Sequence, residues 1–248
     1  MGLSYSLVHK FTHFFAKSVI LLNFVFVNLV PIATYRGPVK AKFGTPRQSG
    51  LAPAVEGRVE FLEGYGVEEA LKGLEGFSRI WLIWGFSLNG KEQWSPTVRP
   101  PRLGGNRTMG VWATRSPYRP NPIGLSCVEV IDIGKNCISV RGADLVDGTP
   151  IFDIKPYVPY ADAFPDSKPG FAAEAPERKL KVDFPDCLPF TATQLEALGQ
   201  ILSLDPRPAY QDDETRTYGL AYEGYDVHFK IKGNVLTVLD ASKGTELD

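Results

Sequence analysis

The sequence is poor in the residues from which metal and nucleophile sites are made. Among 248 residues there are three cysteines, Cys127, Cys137 and Cys187, and three histidines, His9, His13 and His228. No cysteines stand in C-x-x-C spacing and no histidine lies near a cysteine cluster, which argues against a zinc or iron–sulfur site. An odd cysteine count gives no disulfide framework and fits a reducing compartment. The long gap between His13 and His228 removes Ser–His and Cys–His arrangements from the body of the chain. Neither G-x-G-x-x-G after a strand nor G-x-x-x-x-G-K-[ST] occurs, so no Rossmann fingerprint or P-loop is visible. The apolar run from Val19 to Val30 has the length of a signal h-region, is too short for a membrane span, and is followed by no small-x-small cleavage site.

What is present is ordinary globular material, heavily punctuated. Hydrophobic residues make up 44% and charged residues 22%, which excludes disorder as the default. Glycine (24) and proline (20) are abundant, and both interrupt regular structure, so many short strands joined by shaped turns are expected. The net charge of −1 hides a division. Arg36, Lys40, Lys42 and Arg47 fall between Thr34 and Val55 without an acid, and Arg99, Arg102, Arg107, Arg115 and Arg119 fall between Gln93 and Val128, again without one. The rest of the chain therefore carries −10. Two basic windows rich in Pro and Gly point to a polyanionic partner.

Periodicity divides the chain into residues 1–23, an appended extension; 24–165, a mainly β domain; 166–189, a linker or wrapping segment; and 190–248, a small helix-plus-strands domain. Phe24 to Thr34 is rich in β-branched and aromatic residues and reads as the first strand. Val55 to Leu62 alternates, and Phe77 to Leu88 is a continuous apolar run that reads as a strand buried on both faces, with Trp81, Trp84 and Phe86 in the core. Leu125 to Ile133 and Cys137 to Val140 form a hairpin. Thr191 to Leu204 is the best helix, capped by Thr191 or Thr193, and three strands follow it.

The most constrained stretch is Thr114 to Ser126, T-R-S-P-Y-R-P-N-P-I-G-L-S. Its three prolines hold Ser116, Arg119 and Asn121 extended, giving a rigid loop with polar tips. A second dense stretch runs from Asp144 to Asp162, in which Asp153 and Lys155 share one strand face. With no histidine available, chemistry falls to Asp, Lys, Tyr, Asn and backbone groups, a set suited to positioning.

In order along the chain stand K-F-G with P-R-Q (Lys42 to Gln48), W-x-P-T-V-R-P-P-R-L-G-G-N (Trp94 to Asn106), A-T-R-S-P-Y-R-P-N-P-I-G-L-S (Ala113 to Ser126), D-L-V-D-G-T-P (Asp144 to Pro150) and D-I-K-P-Y-V-P-Y-A-D (Asp153 to Asp162). Together they closely resemble the TrmO (YaeB-like) tRNA methyltransferases, over roughly residues 24–248. That resemblance implies an S-adenosylmethionine-dependent enzyme on a β-barrel in place of a Rossmann sheet, acting as a homodimer; a cytoplasmic protein without a metal and away from membranes is expected. Its implied substrate is the N6 of threonylcarbamoyladenosine beside the anticodon of threonine tRNA. The implied cofactor contacts are Gln48, Ser49 and Gly50; Ser87 and Leu88; Arg115 and Leu125; and the backbone of Thr149, Pro150, Ile151 and Phe152. Where the family often carries His-Gln, this chain has Ser87-Leu88, so backbone contact is expected there. Our reading assigns Asp153 to orient the amine or take its proton, with Lys155 and Tyr157 around it and Asn121 on the base edge. Arg99, Arg102 and Arg119 are assigned to phosphates and Tyr118 to stacking on an exposed base. The bland reading of Asp153 and Lys155 is a cross-face ion pair. The rivals for the whole chain are a non-catalytic RNA-binding β-barrel and a methyltransferase of the same fold with another substrate.

Overall fold

The computed structural model describes residues 28–88, 94–174, 180–207 and 213–244. The chain divides into two units, Met1–Val30 and Pro31–Asp248, and every element below belongs to the second. Six strands close a barrel in the order β1 (Ala33–Arg36), β2 (Glu56–Phe61), β7 (Cys137–Arg141), β6 (Ile123–Gly134), β3 (Arg79–Gly85) and β8 (Pro150–Pro156). Every pairing within it is antiparallel. Closure removes the free edges that short strands would otherwise expose.

The barrel interior follows from the period of two. Along β3 the inward residues Ile80, Leu82 and Trp84 are buried, while Trp81 and Ile83 on the outer face stay partly accessible. The expected strand buried on both faces is therefore a strand buried on one, and Trp81 is an outer-face residue whose indole N–H donates to Asp162 at 3.0 Å. Ala33, Tyr35, Val59, Val128, Ile138, Val140 and Ile151 complete the interior. The first strand begins at Ala33; residues 28–32 are not in a strand, and the expected residues 24–27, like the 1–23 extension, lie outside the described residues.

The second domain holds the helix α3 (Ala192–Ser203) against a four-stranded sheet in the order β10 (Tyr218–Tyr222), β11 (Tyr225–Lys232), β12 (Val235–Lys243) and β9 (Lys181–Asp183). Thr191 caps α3 in a reciprocal capping box with Gln194, and Leu198, Ile201 and Leu202 form its buried stripe. Strand β9 pairs in parallel with β12, so the stretch expected as a linker contributes a strand to this sheet. Two short helices, α1 (Glu68–Leu71) and α2 (Pro159–Asp162), decorate the barrel, and a two-stranded ribbon of β4 (Thr97–Val98) and β5 (Met109–Gly110) stands on its own.

The two cores meet at the basic loop between β1 and β2. Val39, Ala52 and Val55 from that loop are buried in the core of the second domain with Leu198, Leu220 and Tyr222. Val39 bridges Tyr222, the Glu223 amide donates to the Pro38 carbonyl at 2.9 Å, and the Ala54 amide donates to the Gln200 side-chain oxygen at 2.8 Å. Gly44, at φ +100, lies under Leu220, where any side chain would collide with it. The second domain thus braces the loop that carries Gln48, Ser49 and Gly50. Leu220→Ala, which empties this contact, is expected to cost about 2–5 kcal/mol and lower the melting midpoint by several degrees, measured by thermal unfolding.

Candidate active site

The expected cofactor residues fall into two groups. The first lies at one mouth of the barrel. Gly50 in the braced loop donates its amide to the Gly142 carbonyl at 2.8 Å, just beyond the end of β7. Gln48, two residues earlier, accepts from the Arg115 guanidinium at 2.5 Å, across 67 residues of sequence. Basic loop and proline-rich loop are therefore joined through Gln48 and Arg115.

Near that pair a polar chain runs into the barrel from the half-buried Asp144. Ser126 is fully buried and points into the barrel; its hydroxyl accepts from the Trp84 indole at 2.9 Å and donates to the Asp144 carboxylate at 2.5 Å. Burial drives Asp144 above the ordinary carboxylate range, against the opposing pull of the Ser126 hydroxyl, the Arg115 charge and the Ser49 backbone. Asp144 was not singled out from sequence. Its signal was the motif D-L-V-D-G-T-P, in which Asp147 draws notice as a turn former; Asp147 indeed accepts from the Gly37 amide at 3.2 Å.

The second group lies around the outer face and end of β3. Thr114 to Ser126 is not one loop, because Ile123 already begins β6. Leu125 and Ser126 therefore face opposite ways, with Leu125 54% exposed on the outer face beside Ile83. Ser87 and Leu88 are exposed past the end of β3. The expected backbone contacts at Thr149 and Ile151 are largely committed to the barrel: the Thr149 carbonyl accepts from the Tyr35 amide at 2.9 Å and the Ile151 carbonyl from the Ile32 amide at 2.8 Å. Both residues are buried, which leaves Pro150 and Phe152 partly accessible. Phe152 is the extra residue of a bulge, since Ile83 pairs with Asp153 and Trp84 with Ile151.

The four expected catalytic residues do not converge. Asp153 lies opposite Ile83, Lys155 opposite Trp81, and the Tyr157 amide reaches the Arg79 carbonyl, so the three run down the outer face along β3. Asn121 precedes Ile123, which pairs with Gly85 at the other end of β3. At about 3.3 Å per residue this places Asn121 and Tyr157 roughly 20 Å apart. Asp153 and Lys155 do form an ion pair, at 3.0 Å on an exposed surface. Tyr157 packs against Trp81 with ring centroids 5.8 Å apart.

The arginines separate as well. Arg99 and Arg102 are exposed and, among the described residues, have no ion-pair partner. Arg119 is half-buried and donates to the carbonyls of Val111 (3.2 Å) and Thr114 (2.7 Å), so it holds the loop in place of reaching for a phosphate. Tyr118 lies under the Lys42 ammonium at 5.8 Å. Among the described residues no group of three His, Cys, Asp or Glu is gathered for a metal, and no helix is long and apolar enough to cross a membrane.

Comparison with known families decides what this arrangement is. The family models described as the N-terminal and C-terminal domains of tRNA-methyltransferase O match residues 34–163 and 177–244. The chain belongs to the tRNA-methyltransferase O family. A tRNA (adenine(37)-N6)-methyltransferase of Escherichia coli strain K12 is 39% identical over 214 residues, covering 81% of this chain and 91% of that protein. A putative S-adenosylmethionine-dependent methyltransferase of Pseudomonas aeruginosa is 41% identical over 225 residues, covering 86% and 97%. The crystal structure of TrmO from Pseudomonas aeruginosa superposes with a TM-score of 0.73 at 33% identity, covering 88% of this chain and 98% of that one. The family boundary at 163 and the restart at 177 place β9 with the second domain, as the sheet pairing does.

Proposed function

We infer that the chain is an S-adenosylmethionine-dependent methyltransferase acting on the N6 of an adenine in tRNA, the activity named for its Escherichia coli relative. In finer detail we propose threonylcarbamoyladenosine beside the anticodon of threonine tRNA as substrate, and a cytoplasmic homodimer as the working form. The observation that carries the reading is the junction of Gln48 and Arg115, which joins the two basic loops at one barrel mouth and whose arginine charge reaches the half-buried Asp144.

The residues there fit the cofactor. S-adenosylmethionine bears a carboxylate, an ammonium and a sulfonium, and the mouth offers Arg115 for negative charge and Asp144 for positive charge, beside Ser49 and Gly50. When bound, it supplies a methyl group activated by the positive sulfur. The chain's own part is to hold the base in line, because orientation is worth roughly 7–11 kcal/mol in the best cases, and to accept the proton that N6 loses.

For that proton we propose Asp153. It is a carboxylate on the outer face near Leu125, paired with Lys155 at 3.0 Å. Asn121 and Tyr157 are too far apart to share its site and are proposed to act separately, Asn121 at the loop tip and Tyr157 as packing for Trp81. Asp153→Asn is expected to lower kcat about 100-fold or more at saturating cofactor, as loss of a general base does, while the melting midpoint hardly moves. A rate within threefold of the parent would reduce Asp153 and Lys155 to a surface ion pair. The function itself is tested by nucleoside mass spectrometry of tRNA from cells with and without the gene. Loss of one N6-methylated adenosine supports it, and an unchanged nucleoside profile refutes it.

A further inference from the structure

The ribbon of β4 and β5 brings two tryptophans onto the surface. Trp94 precedes β4 and Trp112 follows β5, and the pairing of Thr97 with Gly110 and of Val98 with Met109 sets them side by side. Their rings lie 6.1 Å apart at an interplanar angle of 23°. Both are open to solvent, Trp94 at 48% and Trp112 at 66%. Tryptophan is highly buried on average, so two exposed indoles in contact call for a ligand more than a fold-level reason.

The pair is held in place rather than left to drift. The Val111 amide donates to the Pro96 carbonyl at 2.9 Å, and the Ser95 amide to the Tyr118 carbonyl at 3.3 Å. The Arg119 guanidinium sits 5.2 Å from the Trp112 ring while its Nη1 grips the backbone of Val111 and Thr114. The far end of the ribbon is basic, with Arg99, Arg102 and Arg107 exposed, and residues 93–128 contain no acid. Flat apolar rings with a cationic rim match a nucleobase joined to a phosphate backbone.

We propose that Trp94 and Trp112 form a stacking platform for an unpaired nucleobase of the RNA substrate, with Arg99, Arg102 and Arg107 on its phosphates. This rests on the tRNA reading above and adds to it a base-binding surface distinct from the cofactor mouth. Two residues separate Trp112 from Arg115, so a base on the platform anchors the RNA strand close to the loop that meets the cofactor.

The test measures binding of an anticodon-arm hairpin of threonine tRNA to the parent, Trp112→Ala, Trp94→Ala and Trp112→Phe, with cofactor affinity measured alongside. Each alanine variant is expected to weaken RNA binding about 5- to 150-fold, the loss that one base–aromatic stack brings, with cofactor affinity unchanged and the phenylalanine variant largely restored. A second arm leaves the protein untouched and replaces loop nucleotides of the hairpin one at a time by abasic sites. One such site is expected to weaken binding to the parent and to have little further effect on Trp112→Ala. Unchanged RNA binding by both alanine variants, with the parent still methylating tRNA, overturns the platform and leaves the tRNA reading standing. A change of oligomeric state without a change in RNA affinity also overturns it, assigning the rings to contact with a second copy. A parent that neither binds nor methylates the hairpin or tRNA refutes both.

Discussion

Asp144→Asn is expected to leave the protein at least as stable as the parent at pH 7 while reducing methyl transfer about 100-fold or more. The reason is the conflict built into the barrel mouth. Burial raises the Asp144 acid above its ordinary value of 3.8, so the folded state holds this proton more tightly than the unfolded state. The stability that its protonated form contributes is fully present below that ordinary value and is lost as pH rises through the raised folded value. As pH rises through that raised value, holding the group ionised costs the fold stability. Asparagine keeps an oxygen that accepts from Ser126 at the same position but carries no charge to desolvate. It also gives up the negative charge that faces Arg115 and that we propose steadies the cofactor, and loss of one preorganised electrostatic partner commonly costs 100- to 1,000-fold in rate. Asp144→Ala separates the two effects, because it strands the buried Ser126 hydroxyl and is expected to destabilise by about 1–3 kcal/mol. Urea unfolding as a function of pH, with methylation assayed in parallel, checks both halves. A marked loss of stability in Asp144→Asn at pH 7 would show that the carboxylate is structural.

Gly124→Ala is expected to be the most damaging single methyl group added to the barrel. The new Cβ would enter the Trp84 indole, which lies directly against Gly124. Trp84 has nowhere to go. Its ring packs on Phe86 with centroids 4.4 Å apart, and its N–H is tied to Ser126 at 2.9 Å. Retreat therefore breaks a buried hydrogen bond, costing about 1–3 kcal/mol, in addition to about 1–3 kcal/mol of overpacking. A combined loss of about 2–6 kcal/mol is a large share of the 5–15 kcal/mol that holds a typical domain together. The urea midpoint reads this directly, and a midpoint unchanged from the parent would contradict the packing described. Pairing Gly124→Ala with Trp84→Phe should recover part of the loss, because the two changes act on one contact.

These two residues also show what the sequence could and could not reveal. The helix from Ala192, its Thr191 cap and the three strands after it follow local rules, and they stand as read. The barrel strands were legible as strands. Their facing was not, because facing depends on partners. Phe77 to Leu88 read as doubly buried since an apolar run carries no mark of which side is solvated, and Trp81 proved to lie outside with Asp162. The Thr114 to Ser126 stretch read as one loop because its prolines dominate it, yet Ile123 to Ser126 are strand and put Leu125 and Ser126 on opposite faces. The bulge at Phe152 leaves no local signal and interrupts the alternation between Ile151 and Asp153, whereas Asp153 and Lys155 share one face as read.

The site was legible in part for the same reason. Gln48 and Arg115 came from motifs that the family resemblance carried, and the structure joins them. Asp144 is bound to Ser126, 18 residues away, and Ser126 to Trp84, 42 residues away, so its role depends on contacts no window of sequence contains. Trp94 and Trp112 stand 18 positions apart with no local pattern linking them, and only the pairing of β4 with β5 puts the two together at the surface.

The most direct measurement is methyl transfer by the purified chain, using S-adenosylmethionine labelled in its methyl group and unmodified and threonylcarbamoylated threonine tRNA. The account predicts that label appears at N6 of the modified adenosine beside the anticodon, falls steeply with added salt as phosphate contacts are screened, and is abolished by Arg115→Ala. Absence of label from tRNA, or label on a different base that persists in Arg115→Ala, would contradict it.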